Sequence, residues 1–138
     1  MTEQEDRWQA LAEASAALHV ALVEWMTAAT PQTLAAVEDA ARYYTRGLAH
    51  VIGLRGAQRY AMSLGAYRRA TERLHALTAT LSAASSVDAA DREFLQRVAA
   101  DQAAAGWAHE IAAADVVAAV KQARAQGQAG RDGMGRRS

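Results

Sequence analysis

The sequence predicts an all-α fold, an antiparallel up-down bundle of about four long amphipathic helices with a flexible C-terminal tail. Apolar residues recur in alternating steps of three and four along the long segments, which is the spacing of one helix face. No segment alternates apolar and polar residues with the period of two that a half-buried strand needs. Much of the 51% hydrophobic fraction is alanine, the strongest helix former, and the chain has a single proline.

The first helix is predicted from about Glu3 to Ala29. Thr2 followed by Glu5 is a capping-box pattern, in which a hydroxyl and a carboxylate accept hydrogen bonds from amides that a helix start leaves unpaired. An apolar seam follows, made of Trp8, Leu11, Ser15, Leu18, Leu22, Trp25 and Ala29. Its spacing is that of a coiled coil, so this face is expected to pack against a neighbouring helix.

The second helix is predicted over Pro31 to Ile52, with Thr30 as its N-cap, because proline suits the first helical position and disfavours helix in the preceding residue. The seam continues through Leu34, Val37, Ala41, Tyr44, Leu48 and Val51. Gly53 and Gly56 bracket the most favourable turn, since glycine accepts the left-handed conformation that ends helices. The length matches an antiparallel partner for the first helix.

The third helix is predicted from Arg55 to about Ala84. Its seam consists of Ala57, Tyr60, Leu64, Tyr67, Thr71, Leu74, Thr78 and Leu81. A basic face, defined as Arg55, Arg59, Arg69 and Arg73, lies on the opposite side. Residues 85–88 then supply a loop and, in Asp88, an N-cap for the next helix.

The fourth helix is predicted from about Asp88 to Gln126. Most of its large apolar residues gather on one side: Phe94, Leu95, Val98, Val116, Val117 and Val120. Trp107 and Ile111 fall nearly opposite, so either Gly106 bends or breaks the helix or its middle is apolar on two faces. A two-faced helix needs a second partner, and we expect a homodimer with Trp107 and Ile111 at the contact.

Length and composition predict one helical-bundle domain over residues 1–126 and a Gly/Arg-rich flexible tail over residues 127–138. The absence of cysteine excludes disulfides and thiol chemistry. An acidic N-terminus and polar residues that interrupt every apolar run predict a cytoplasmic protein without a membrane span.

Charge is segregated along a chain whose formal net charge is zero. Residues 1–41 contain seven acidic residues and one arginine, whereas residues 42–75 contain seven arginines and one glutamate. This pattern favours complementary helices or subunits over a nucleic-acid surface.

One sequence pattern resembles a metal motif. Glu72 and His75 have the E-x-x-H spacing with which helices of ferritin-like bundles bind two iron or manganese ions. Such a centre needs a second motif of this kind, and the adjacent His109 and Glu110 do not supply one. His19 and His50 are scattered on other helices, and no nucleophile or phosphate-loop motif is present. We therefore predict no catalytic residue, metal or cofactor.

The remaining prediction is a non-catalytic helical interaction protein, such as an adaptor, an assembly factor or a small chaperone-like protein, that binds a partner protein through helix grooves. The alternative is a nucleic-acid-binding accessory protein that uses the basic face Arg55–Arg73. A further alternative is a metal-binding bundle that uses Glu72 and His75.

Overall fold

The computed structural model describes the backbone of residues 2–136 and the side chains of residues 2–127. Four helices make up the described chain: α1 Glu3–Thr27, α2 Pro31–Ile52, α3 Leu54–Ala83 and α4 Ala89–Arg136. α1 packs against α2 and α3 packs against α4, which confirms the predicted all-α bundle.

Capping side chains set the helix starts. The Thr2 hydroxyl accepts a hydrogen bond from the Glu5 amide at 3.2 Å, and the Glu5 carboxylate accepts one from the Thr2 amide at 3.3 Å. Thr30 and Thr33 exchange the same pair of bonds at the start of α2, at 3.1 and 2.9 Å. Both predicted caps are confirmed, and they satisfy amides that the first helical turn leaves without partners.

A glycine and an aspartate set the starts of α3 and α4. Gly53 has φ of 91°, which a side chain would strain, so α2 ends there as predicted and α3 begins at the next residue. The Asp88 carboxylate accepts a hydrogen bond from the Asp91 amide at 2.8 Å and caps α4.

The described chain forms two compact units, of which the first contains residues 2–58 and 122–136. Its buried residues follow heptad spacing on both long helices: Leu11, Ala14, Leu18, Ala21, Trp25, Val37, Tyr44 and Leu48. The predicted seam of α1 was wrong at two positions, because Ser15 and Ala29 are exposed: Ala14 is buried instead of Ser15, and α1 ends at Thr27, before Ala29. Ser15 is exposed and forms a hydrogen bond with Tyr44. Burial raises the pKa of Tyr44, and this hydrogen bond partly offsets that effect.

The second unit, residues 59–121, pairs most of α3 with most of α4. Its core comes from both helices: Tyr60, Leu64, Thr71, Val98, Ala112 and Val116. Thr71 is a buried polar residue, and its hydroxyl has hydrogen-bond partners: it donates to the Tyr67 carbonyl at 2.8 Å and accepts from the Gln102 side-chain amide at 3.4 Å. The predicted α3 seam is confirmed at Tyr60, Leu64 and Thr71, which are buried. Thr78, near the end of the helix, is exposed.

The long last helix passes through Gly106 without a break. A Cβ at this position would lie 3.0 Å from Cε1 of Tyr67, so glycine lets the tyrosine ring lie close to α4. The predicted end at Gln126 was wrong, because α4 continues to Arg136. The flexibility of residues 127–138 and the single-domain organisation of residues 1–126 stay predictions.

Candidate functional site

The middle of α4 carries a second apolar surface, here called the outer stripe. It consists of Ala100, Ala104, Trp107, Ile111, Ala114 and Ala118, all exposed and separated by alternating steps of four and three residues. Trp107 is 67% exposed and Ile111 is 51% exposed. The outer stripe therefore repeats the spacing of a coiled-coil seam, and the residues that the structure describes leave it exposed.

The outer stripe lies on the side of α4 that faces away from the second unit's core. Val98, buried in that core, precedes Trp107 by nine residues, which places them roughly 180° apart on a helix of ~3.6 residues per turn. The sequence predicted either a bend or break at Gly106 or a helix that is apolar on two faces. The structure has the second arrangement, a continuous helix that is apolar on two faces.

The segment Ala89–Gly127 is apolar enough and long enough to cross a membrane. Only 11% of its most apolar stretch is buried. Length and composition alone do not distinguish a span from a helix of a soluble protein. The expected absence of a membrane span and the expected cytoplasmic location stay predictions.

Acidic residues flank the outer stripe. Between Val98 and Val120, the charged residues are Asp101, Glu110 and Asp115, and no lysine or arginine occurs there. Helical geometry places Glu110 on one side of the stripe and the two aspartates on the other. The surface available to a partner is thus apolar along its centre and negatively charged at both edges.

The basic face of α3 is accessible to solvent. Arg55, Arg59, Arg69 and Arg73 are all exposed, and the Arg73 guanidinium lies 5.6 Å from the centroid of the Phe94 ring. Arg59, Arg69 and Arg73 belong to the second unit and lie within 14 residues of one another, or about 21 Å at 1.5 Å per residue. These three form an elongated positive surface that could contact phosphates or a negatively charged protein.

Glu72 and His75 of the E-x-x-H pattern do not belong to a group of metal-binding side chains among the described residues. The Glu72 carboxylate forms an ion pair with Arg68 at 3.1 Å, and His75 is exposed on the same helix. No group of three histidine, aspartate or glutamate side chains lies close enough to hold a metal ion among the described residues. Nothing in the geometry of this part of the chain supports the metal-binding alternative.

His109 lies between two tyrosines in the second unit. Its ring is stacked on Tyr67, with centroids 6.0 Å apart and an interplanar angle of 8°, and tilted at 52° to Tyr60 at 5.3 Å. Nδ1 lies 3.1 Å from the Ser63 hydroxyl, which is also 2.8 Å from the Tyr60 carbonyl. If the serine donates to the carbonyl, its oxygen accepts the Nδ1 proton. These contacts join His109 on α4 to three residues of α3.

Acid is expected to weaken the fold through His109. Desolvation lowers the pKa of this imidazole, although Glu110 opposes the effect, so the unfolded chain binds the proton more tightly. The stabilising contribution is complete above the unfolded-state pKa of about 6.5 and is lost as the pH falls toward the lower folded-state value. Urea unfolding at several pH values should show a smaller loss on acidification for His109→Gln than for the natural chain. Parallel pH curves for the two proteins would contradict this assignment.

A groove between α1 and α2 was not predicted from the sequence. It is partly open to solvent, has a volume of about 320 Å³, lies within the first unit and is lined by Arg7, Ala10, Leu11, Ala14, Tyr43, Arg46, Gly47, His50 and Val51. Small residues at positions 10, 14 and 47 leave the space, and a Cβ on Gly47 would lie 3.2 Å from Cδ1 of Leu11. The signal that could have revealed it is the pairing of small residues with flanking arginines on antiparallel helices.

Comparisons with protein-family models, with curated proteins and with solved structures find no match to this chain.

Proposed function

We propose that this protein is a non-catalytic helical interaction protein that assembles with a second copy of itself through the outer stripe of α4. The observation that carries the proposal is the exposure of Trp107 and Ile111 at the centre of a seam with coiled-coil spacing. Large exposed apolar side chains in a contiguous stripe are typical of protein contacts, and tryptophan is enriched where such contacts are strongest.

The order of side-chain sizes along the outer stripe supports a second copy as the partner. From residue 100 to residue 118 the order is small, small, large, large, small, small, so it is the same in both directions. In an antiparallel pair related by a two-fold axis, Trp107 would pack against Ile111 of the other copy. The alanines would then face alanines and allow the two helices to approach closely.

The free energy of burying apolar side chains favours this pairing, although the acidic residues beside the outer stripe oppose it. Burying Trp107 and Ile111 on both copies contributes about 1.5–3 kcal/mol for each of the four side chains. In the two-fold arrangement, Glu110 of one copy lies near Glu110 of the other, and Asp101 of each copy lies near Asp115 of the other. Each of these exposed like-charge pairs costs up to about 1 kcal/mol. The apolar contribution is larger, but association itself costs at least several kcal/mol. We therefore expect a dimer that dissociates on dilution.

Salt is expected to strengthen the proposed dimer, because it screens repulsion between the acidic flanks. Glu110→Gln removes one like-charge pair and should tighten dimerisation by up to about fivefold at low ionic strength. Sedimentation equilibrium across a salt series measures both effects, with Glu24→Gln on the exposed part of α1 as the control. A dimer that weakens with salt, or a Glu110→Gln chain that associates no better than the control, would contradict the proposed arrangement.

The second candidate function is nucleic-acid binding through the basic face. It is favoured by one observation, the exposure of Arg59, Arg69 and Arg73 along about 21 Å of α3 in the second unit. Phosphate contacts weaken steeply as salt rises, because bound counterions are released. A gel shift that disappears with salt and with an Arg59→Glu/Arg69→Glu variant would favour this function over self-assembly.

A further inference from the structure

The groove between α1 and α2 has the composition of a small-ligand site. Its volume of about 320 Å³ is at the lower end of the range for ligand pockets, ~300–1,000 Å³. Alanine, leucine, valine and glycine line most of it, and its polar groups come from both helices. Ligand pockets commonly combine an apolar lining with a few polar groups that fix the orientation of the ligand.

The charges of the groove indicate the chemistry of its ligand. Arg7 on α1 and Arg46 and His50 on α2 belong to the lining, which contains no aspartate or glutamate. Neither arginine forms an ion pair within the part of the chain that the structure describes. Arginine presents several donors in a planar arrangement that matches a carboxylate, so the two guanidinium groups can bind an anion from opposite walls.

We propose that this groove binds a small anionic amphiphile, with its carboxylate between Arg7 and Arg46 and its hydrocarbon body along Leu11, Gly47 and Val51. A neutral apolar molecule would leave the two guanidinium groups without a counter-charge. A small hydrophilic anion would leave the apolar lining in contact with water. The groove therefore fits a molecule that has both properties, such as a medium-chain carboxylic acid.

The site is separate from the outer stripe, since α1 and α2 provide its whole lining. Failure of the proposed dimer would consequently leave this proposal intact, and failure of ligand binding would leave the dimer intact. Arg46 and Arg42 offer a matched pair of test positions on α2, because Arg42 is exposed, lies outside the groove and contacts Asp39 at 3.4 Å.

Calorimetric titration of the full chain with decanoate, 1-decanol and acetate tests the proposal. Decanoate should bind with one-to-one stoichiometry, whereas decanol and acetate should bind at least about tenfold more weakly. Arg46→Gln should weaken decanoate binding by about tenfold or more, because a charge-assisted hydrogen bond is lost, and Arg42→Gln should leave it unchanged. Equal affinity for decanoate and decanol, or equal effects of the two arginine variants, would overturn the proposal.

A second variant guards against indirect effects on folding. Ala10 lines the groove and is exposed, so Ala10→Phe can fill the space without replacing a buried side chain. It should abolish decanoate binding while the circular dichroism spectrum and the urea midpoint stay unchanged. Amide chemical-shift changes on titration should concentrate in residues 7–14 and 43–51. Retained binding in Ala10→Phe, or shift changes centred on the outer stripe, would show that decanoate binds elsewhere and would overturn the assignment.

Discussion

Replacing Trp107 with glutamate is expected to leave the protein monomeric at concentrations where the natural chain is dimeric. The indole is 67% exposed in the single chain, so its contribution to the fold of one copy is small. In the proposed dimer the same position lies near the two-fold axis and becomes buried twice. A carboxylate there would lose its hydration without an opposite charge, which costs several kcal/mol for each copy. Sedimentation velocity over a concentration series measures the result.

The control for this prediction is Met62→Glu on α3. Met62 is 73% exposed, so the substitution also places a negative charge at an exposed apolar position, but outside the outer stripe. It should leave the association constant nearly unchanged. The proposed contact would be wrong if the natural chain were monomeric, if Trp107→Glu remained dimeric, or if both variants dissociated equally.

Local physical chemistry made the helices of this protein predictable. Thr2, Thr30 and Asp88 cap helices because their side-chain oxygens bind nearby amides, and these contacts depend on residues only three positions apart. Gly53 ends α2 because its conformation is one that other residues avoid. The end of α4 was not predictable in the same way, since the glycines after Gln126 indicate flexibility by composition but do not exclude helix.

The two candidate sites differ in whether they could be predicted from the sequence. Trp107 and Ile111 could be placed opposite the inward face of α4 by counting residues on one helix, because rotation per residue is fixed. The groove needed two helices in a defined register, and periodicity does not specify which residues of α1 lie beside Gly47. The wrong choice of Ser15 instead of Ala14 for the α1 seam has the same origin. Both residues are three or four positions from Leu11 and from Leu18, so periodicity alone does not distinguish them.

Trp25→Ala is expected to cause the largest loss of stability in the first unit. Trp25 is 2% exposed and has the largest side chain among the fully buried residues described. Its removal loses the transfer free energy of the indole and leaves a cavity, which together cost about 3–5 kcal/mol for a tryptophan. Since small domains are stable by only about 5–15 kcal/mol, a substantial fraction of their stability would disappear.

Urea unfolding followed by circular dichroism measures this loss, and the neighbouring residue supplies the control. Met26 follows Trp25 on α1 but is 53% exposed, so Met26→Ala should change stability by no more than about 0.5 kcal/mol. With an m-value of about 1–3 kcal/mol per molar urea, Trp25→Ala should lower the midpoint by at least ~1 M. Equal effects of the two substitutions would mean that α1 does not pack through the face that contains Leu18 and Trp25. The heptad register of the first unit would then need to be reassigned, because burial at steps of three and four is what distinguishes these adjacent residues.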